Sequence, residues 1–156
     1  LLYHIVKYKT VDMDQNTYNI NIKLDFNGTV SHLIVCMVPV CNVQRNLYFE
    51  YLPLESFTLI LNGNIVNKSN DMNDAYSAER FRYNASRIPS HHIYTIPFGL
   101  SLDTTQPTGY HVFDGSSSNS LIVNRAMHAD LNCTIHIFAV AYKKMRFNQG
   151  IISSMS

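Results

Sequence analysis

Between Tyr18 and Phe26 apolar and polar positions alternate without a break: Tyr18, Ile20, Ile22, Leu24 and Phe26 against Asn19, Asn21, Lys23 and Asp25. Successive side chains of a strand point to opposite faces, so this stretch predicts a strand with one buried and one wet face. The same period places Tyr94, Ile96, Phe98 and Leu100 on one face and predicts a strand over 93–101. Residues 2–11, with Ile5, Val6, Tyr8 and Val11, read as a first strand, and Phe57–Leu61 as another, ended by Asn62-Gly63-Asn64. Leu33–Val38 and Cys133–Tyr142 are apolar at both parities and predict central strands covered on both sides. Punctuation agrees: Asn27-Gly28 is a turn signal, and Gln106-Pro107-Thr108-Gly109 sets a fixed φ before a residue free to take a positive one. The stretch 93–123 therefore reads as strand, tight turn, short strand, loop and strand. From Pro39 to Glu55 the pattern dissolves into a long loop, a length that usually means function or contact. Asn70 to Tyr83 is the one helical stretch, with Asp71 or Asn73 as its N-cap.

Eight strands, one short helix and no strand–helix–strand rhythm imply an antiparallel sandwich of two four-stranded sheets. The expected fold class is all-β, an eight-stranded antiparallel jelly roll. Lettered B to I in chain order, its strands pair as BIDG and CHEF, with the short helix in the E–F connection. Strands D (33–38) and I (133–142) are then internal, matching their two-sided apolarity. Strands C (18–26) and F (93–101) are edges, and F carries Pro97, which an edge tolerates. Residues 1–145 form the single domain and 146–156 a C-terminal tail that is mobile unless a neighbour holds it.

With 156 residues the chain suffices for one core, burying roughly 68–70% of its unfolded surface. Its net charge of +1 and charged fraction of 15% leave no basic run to serve a nucleic acid or an anionic membrane. No apolar run approaches the ~20 residues of a membrane-spanning helix. The opening at Leu1-Leu2-Tyr3, without Met and already strand-like, reads as internal to a longer polypeptide. Cys36, Cys41 and Cys133 are odd in number and lack a CxxC spacing, so neither a disulfide framework nor a zinc knuckle is indicated, and Cys36 and Cys133, within apolar runs, read as core thiols of a reduced compartment. Four N-x-[ST] sequons, at Asn27, Asn67, Asn84 and Asn132, are a chance yield of an Asn-rich chain.

Candidate chemistry is thin. His91, His92 and His136 include no His-x-His pair of the kind a cupin metal site uses, and adjacent His91 and His92 point to opposite faces of a strand. Cys36 or Cys41 with His32 could form a nucleophile–base pair, but no activating context accompanies them. The eleven Asp and Glu are scattered, with no pair placed across a cleft for acid–base work. Arg80, Arg82, Arg87 and Arg125 could meet phosphate or carboxylate; a solvated helix or a subunit contact is the preferred reading. Tyr48, Tyr51, Tyr76, Tyr83, Tyr94, Tyr110 and Tyr142 suit a sugar-stacking platform or an interface, and the interface is favoured. No catalytic, cofactor-binding or metal residue is assigned.

Ile93-Tyr94, Phe98, Leu100, Gln106-Pro107-Thr108-Gly109 and Phe113 follow in order the pattern Ile-Tyr-x-x-x-Phe-x-Leu, a polar spacer, Gln-Pro-Ser/Thr-Gly and an aromatic. With Phe26-Asn27 and Leu33-Ile34-Val35 upstream, Leu61-Asn62-Gly63 next, and Ile137–Tyr142 downstream, the chain resembles the second jelly roll of the double jelly-roll major capsid protein of nucleocytoplasmic large DNA viruses. It departs from that family at Gly28-Thr29, Cys36, Val112 and Asp114-Gly115. The resemblance implies a structural virion protein without enzymatic activity or cofactor, preceded by a first jelly roll. Three copies would form a pseudo-hexagonal capsomer of an icosahedral shell assembled in the host cytoplasm. Partners would be itself, neighbouring capsomers and minor capsid proteins, with no nucleic acid and no membrane insertion. The rival classes are a sugar- or receptor-binding jelly-roll module, a scaffold of the same lineage and, third, a cupin-type enzyme.

Overall fold

Cys133, Ile135, Ile137, Ala139 and Ala141 stand at alternate positions and are all buried, which fixes the inner face of the longest strand. The computed structural model describes residues 2–47, 50–69, 92–99, 108–115, 118–125, 131–148 and 151–155. In chain order its elements are β1 (Leu2–Met13), β2 (Asn19–Lys23), β3 (Asn27–Pro39), α1 (Val40–Gln44), β4 (Leu54–Leu61), β5 (Asn64–Ser69), β6 (Ile93–Pro97), β7 (His111–Asp114), β8 (Ser120–Arg125), β9 (Cys133–Asn148) and β10 (Ile151–Met155). One sheet runs β1-β9-β3-β6, with β7 also on β3 and β10 on β9; the other runs β2-β8-β4-β5. All pairs are antiparallel.

The core lies between the sheets. Val30, Leu33, Val35 and Met37 of β3 and the inner stripe of β9 meet Phe57, Leu59 and Leu61 of β4 and Leu121 and Val123 of β8. Burying an aliphatic side chain contributes about 1.5–3 kcal/mol, so this double layer of period-two stripes holds the sheets together. Tyr94 is buried too, and its hydroxyl accepts the Leu54 N–H at 3.0 Å, tying β6 to the start of β4. At one end Asn119 joins three connections: its carbonyl accepts Leu24 N–H at 2.8 Å and its Oδ1 accepts Asn62 N–H at 2.9 Å, while Ser118 accepts Gly63 N–H at 3.1 Å.

Strand β9 is central between β1 and β3, and β2 is an edge, as the alternation predicts. The 93–101 strand is corrected. Ile93–Pro97 does not border β4; it pairs with Cys36–His32 of β3, and His111–Asp114 pairs with Val30–Asn27 of the same strand. β6 and β7 are thus one edge strand, interrupted between Pro97 and His111. Pro97 does sit on an edge, but of the β1-β9-β3 sheet. The missing edge of the other sheet is β5, which Asn62-Gly63 turns back onto β4 with positive φ at both residues. With β6 and β7 counted as one strand, the two sheets have the BIDG and CHEF orders of a jelly roll.

Smaller differences follow from the same geometry. Asn27-Gly28 opens β3 instead of making a hairpin turn, with Gly28 at φ +98° opposite Phe113. The 39–55 loop contains α1 and a bridge between Met37 and Leu52. The last predicted strand, Cys133–Tyr142, continues as β9 to Asn148, and β10 pairs back onto its end. The expected helix over 70–83 falls outside the described residues; the helix they contain is α1, between β3 and β4.

Candidate functional site

The residues that could carry chemistry are dispersed over the sandwich. His136 on β9 shares a hydrogen bond with the Tyr8 hydroxyl at 2.5 Å, and burial pulls its pKa below the ordinary imidazole value despite Asp12. His32 on β3 is 2.8 Å from the Ser31 hydroxyl, and burial, with His4 adding repulsion, lowers its pKa to about 4. Cys36, also on β3, is buried, and its thiol is pushed up to about 11. Cys41 sits on α1 with its thiol on Asn42 Oδ1 at 3.7 Å. A thiol held far above neutrality and an imidazole held neutral by burial make no nucleophile–base pair. His92 precedes β6; His91, Arg80, Arg82, Arg87, Tyr48, Tyr76 and Tyr83 lie outside the described residues. Among the described residues no three His, Cys, Asp or Glu side chains converge.

Arg125 corrects the reading of a surface arginine. It is fully buried at the end of β8. Its guanidinium donates to the carbonyls of Leu131 (2.7 Å) and Gln15 and lies 5.3 Å from the Tyr18 ring centroid. The two backbone carbonyls and the π face take up part of the cation's donors and charge, and Nε is buried without a hydrogen-bond partner among the described residues. Its place is to clamp the connection after β1 to the start of β9.

The feature that period-two reading contains but does not resolve is the outward face of the β1-β9-β3-β6 sheet. The register sets its side chains in rows across the strands. Tyr8, Phe138, Ile34 and Thr95 form one row, flanked by Val6-Val140-His32-Pro97 and by Thr10-His136-Cys36-Ile93. Beyond these come His4-Tyr142-Thr29-Val112 at one end and Asp12-Thr134-Val38 at the other. The Tyr8 and Phe138 rings lie 4.9 Å apart, as do those of His4 and Tyr142. Asp12 is the sole carboxylate or ammonium among these positions, and it is terminal. Val6, Tyr8 and Val112 are 61%, 54% and 56% exposed.

The outward face of the other sheet differs in kind. Asn19, Asn124 and Ser56 form a hydrogen-bonded row, with Asn124 Nδ2 donating to Ser56 Oγ at 2.7 Å. The next holds Asn21, Ile122, Thr58 and Lys68, and the third Lys23, Ser120, Ile60 and Ile65. Amides, hydroxyls and two ammonium groups make up most of this face, with Ile122, Ile60 and Ile65 between them, whereas the other face has aromatic rings and one terminal carboxylate.

No protein-family model and no curated protein sequence matches the chain. Solved structures do match, at low identity. The chain aligns over its whole length with VP54 of PBCV-1, from a crystal structure fitted into a cryo-EM reconstruction of the virophage Sputnik, at TM-score 0.75 and 15% identity, and covers 51% of that protein. The Faustovirus major capsid protein superposes on 90% of the chain at TM-score 0.78 and 8% identity, with 33% of its own length covered. The major capsid protein P2 of bacteriophage PM2 gives TM-score 0.58 at 10% identity over 99% of the chain and 46% of P2. The chain has the jelly-roll fold found in these capsid proteins and spans about half the length of VP54.

Proposed function

We propose that the chain is a shell-building unit of a virus: one jelly roll of a major capsid protein, in its C-terminal half, with residues 146–156 as its terminal segment. The observation that carries this reading is end-to-end superposition on VP54 with about half of VP54 left over. The ordered resemblance running from Phe26 to Tyr142 supports it independently. In this reading the protein acts by assembly and not by catalysis. Three copies of the double jelly roll form a pseudo-hexagonal capsomer, capsomers tile an icosahedral shell in the host cytoplasm, and the strands supply rigid walls whose buried stripes resist shear. No residue is assigned a catalytic, cofactor or metal role.

The test is the solution mass of the complete polypeptide, measured by light scattering. A stable trimer is the expected result. A monomer that binds glycans on an array would replace this reading with a receptor-binding module.

A further inference from the structure

We infer that the outward face of the β1-β9-β3-β6 sheet is the surface on which a neighbouring jelly roll of the same capsid protein packs. This rests on the capsid reading and adds to it which of the two sheet faces is covered.

A two-layer sandwich gives each strand one inner face. β3 and β9 nevertheless carry a second apolar stripe outside the core cluster, Ile34 and Cys36 on one and Phe138 and Val140 on the other; Cys36 and Val140 are already buried, Ile34 and Phe138 are half-buried, and Val6 and Tyr8 beside them on β1 are exposed. Four strands about 4.8 Å apart and five rows about 6.7 Å apart make roughly 600 Å² of flat sheet, an upper bound on what a partner covers because Cys36, Val38 and Val140 are already buried, against roughly 800 Å² per partner of a standard interface. The face is flat and therefore unsuited to engulfing a small ligand. Across these five rows Asp12 is the sole carboxylate or ammonium, and Lys144, opposite Leu2, follows in the next row, so the charges sit at the two ends and the middle rows demand no charged partner. The face's tyrosine, threonine and histidine groups can exchange hydrogen bonds with another uncharged protein surface. VP54, matched along this entire chain, holds a comparable length of further polypeptide in the same molecule. A second jelly roll beside this one is the occupant those observations fit, and the amide-rich face stays the wetter of the two.

Thiol labelling of the complete polypeptide in its assembled form tests the assignment. In a Cys41→Ser background, Val6→Cys and Ile65→Cys place one probe on each sheet, at positions 61% and 66% exposed in this chain. Maleimide should modify Val6→Cys at least about tenfold more slowly in the assembled particle than in the same protein unfolded in urea. Ile65→Cys reports reagent access on the other sheet. If Val6→Cys blocks assembly where Ile65→Cys does not, the face is equally implicated, and Thr95→Cys in the central row repeats the labelling. A Val6→Cys rate within about twofold of the unfolded protein's, in particles that have formed, overturns the face assignment and leaves the capsid reading intact. A parent polypeptide that never assembles overturns both.

Discussion

The Phe98 N–H donates to the carbonyl of Ser31 at 2.9 Å, and this contact marks the point where β3 changes its edge partner from β6 to β7. Ser31 is the extra residue of a β-bulge: Val30 faces Ala141 and His32 faces Val140, leaving Ser31 unpaired in register. Its hydroxyl donates to the Val140 carbonyl at 3.0 Å, so the bulged residue is buried without an orphaned oxygen. A bulge bends its strand and relieves the ladder locally, which is what a strand with two successive neighbours on one edge requires.

Ser31→Ala removes that hydroxyl and leaves Val140 without its side-chain donor. A loss of about 1–2 kcal/mol is expected, read as a lower urea midpoint at unchanged slope. An unchanged midpoint would mean that the bulge does not depend on the hydroxyl.

The close approach of the chain just after β6 to the chain just before β7 depends on two glycines. A Cβ on Gly109 would stand 2.7 Å from the Gly99 Cα, and one on Gly99 would stand 2.8 Å from the Gly109 nitrogen. Backbone cannot swing aside as a side chain can, so Gly109→Ala should cost about 1–3 kcal/mol. Gly63, with nothing within 4 Å but φ +77°, separates the two causes. Gly63→Ala meets only left-handed strain, about 1–2 kcal/mol, and Gly63→Asn should recover part of it. Thermal melts of the three variants check this.

Stability should depend on pH through His32. Its folded pKa of about 4 lies below the ordinary 6.5, so the unfolded chain binds the proton more readily. Folding is then unpenalised above pH 6.5 and weakens as pH falls from 6.5 towards 4. His111 and His136 are shifted downward as well, both chiefly by burial, and act in the same direction. The melting temperature should be flat from pH 8 to 7 and drop below about 6.5, with His32→Gln showing a shallower drop. A profile identical to the parent's would remove His32 from the account.

Thiol reactivity should follow burial. Cys36, pushed up to about 11, and Cys133, raised by burial against the opposing influence of Arg125, carry little thiolate at pH 8. Cys41 is half-buried on α1. One fast equivalent with Ellman's reagent in the folded chain and three in urea are expected. Fast reaction at Cys36 would show that β3 opens from its neighbours.

Much of the architecture was legible in the alternation of Ile20, Ile22 and Leu24 and in the two-sided apolarity of 33–38 and 133–142. The 93–114 segment was not, because periodicity sees two short strands whether they belong to different sheets or interrupt a single edge. β5 escaped notice because Asn64, Asn67 and Lys68 dilute Ile65 and Val66, and a register shift between Leu59 and Ile60 breaks the period. The two-sided apolarity of 33–38 matches its burial: Leu33, Val35 and Met37 face the core, and Cys36 and Val38 are buried on the outward side as well, with Ile34 half-buried. The part of that outward side left open, around Val6, Tyr8 and Val112, is the signal for a partner.

The most direct measurement is a cryo-EM reconstruction of the assembled full polypeptide. The expected map has three copies and six upright sandwiches, with the row of Tyr8, Phe138, Ile34 and Thr95 buried against an adjacent sandwich. A map in which that row faces solvent would contradict the face assignment, and particles that are single sandwiches without threefold assembly would contradict the capsid account itself.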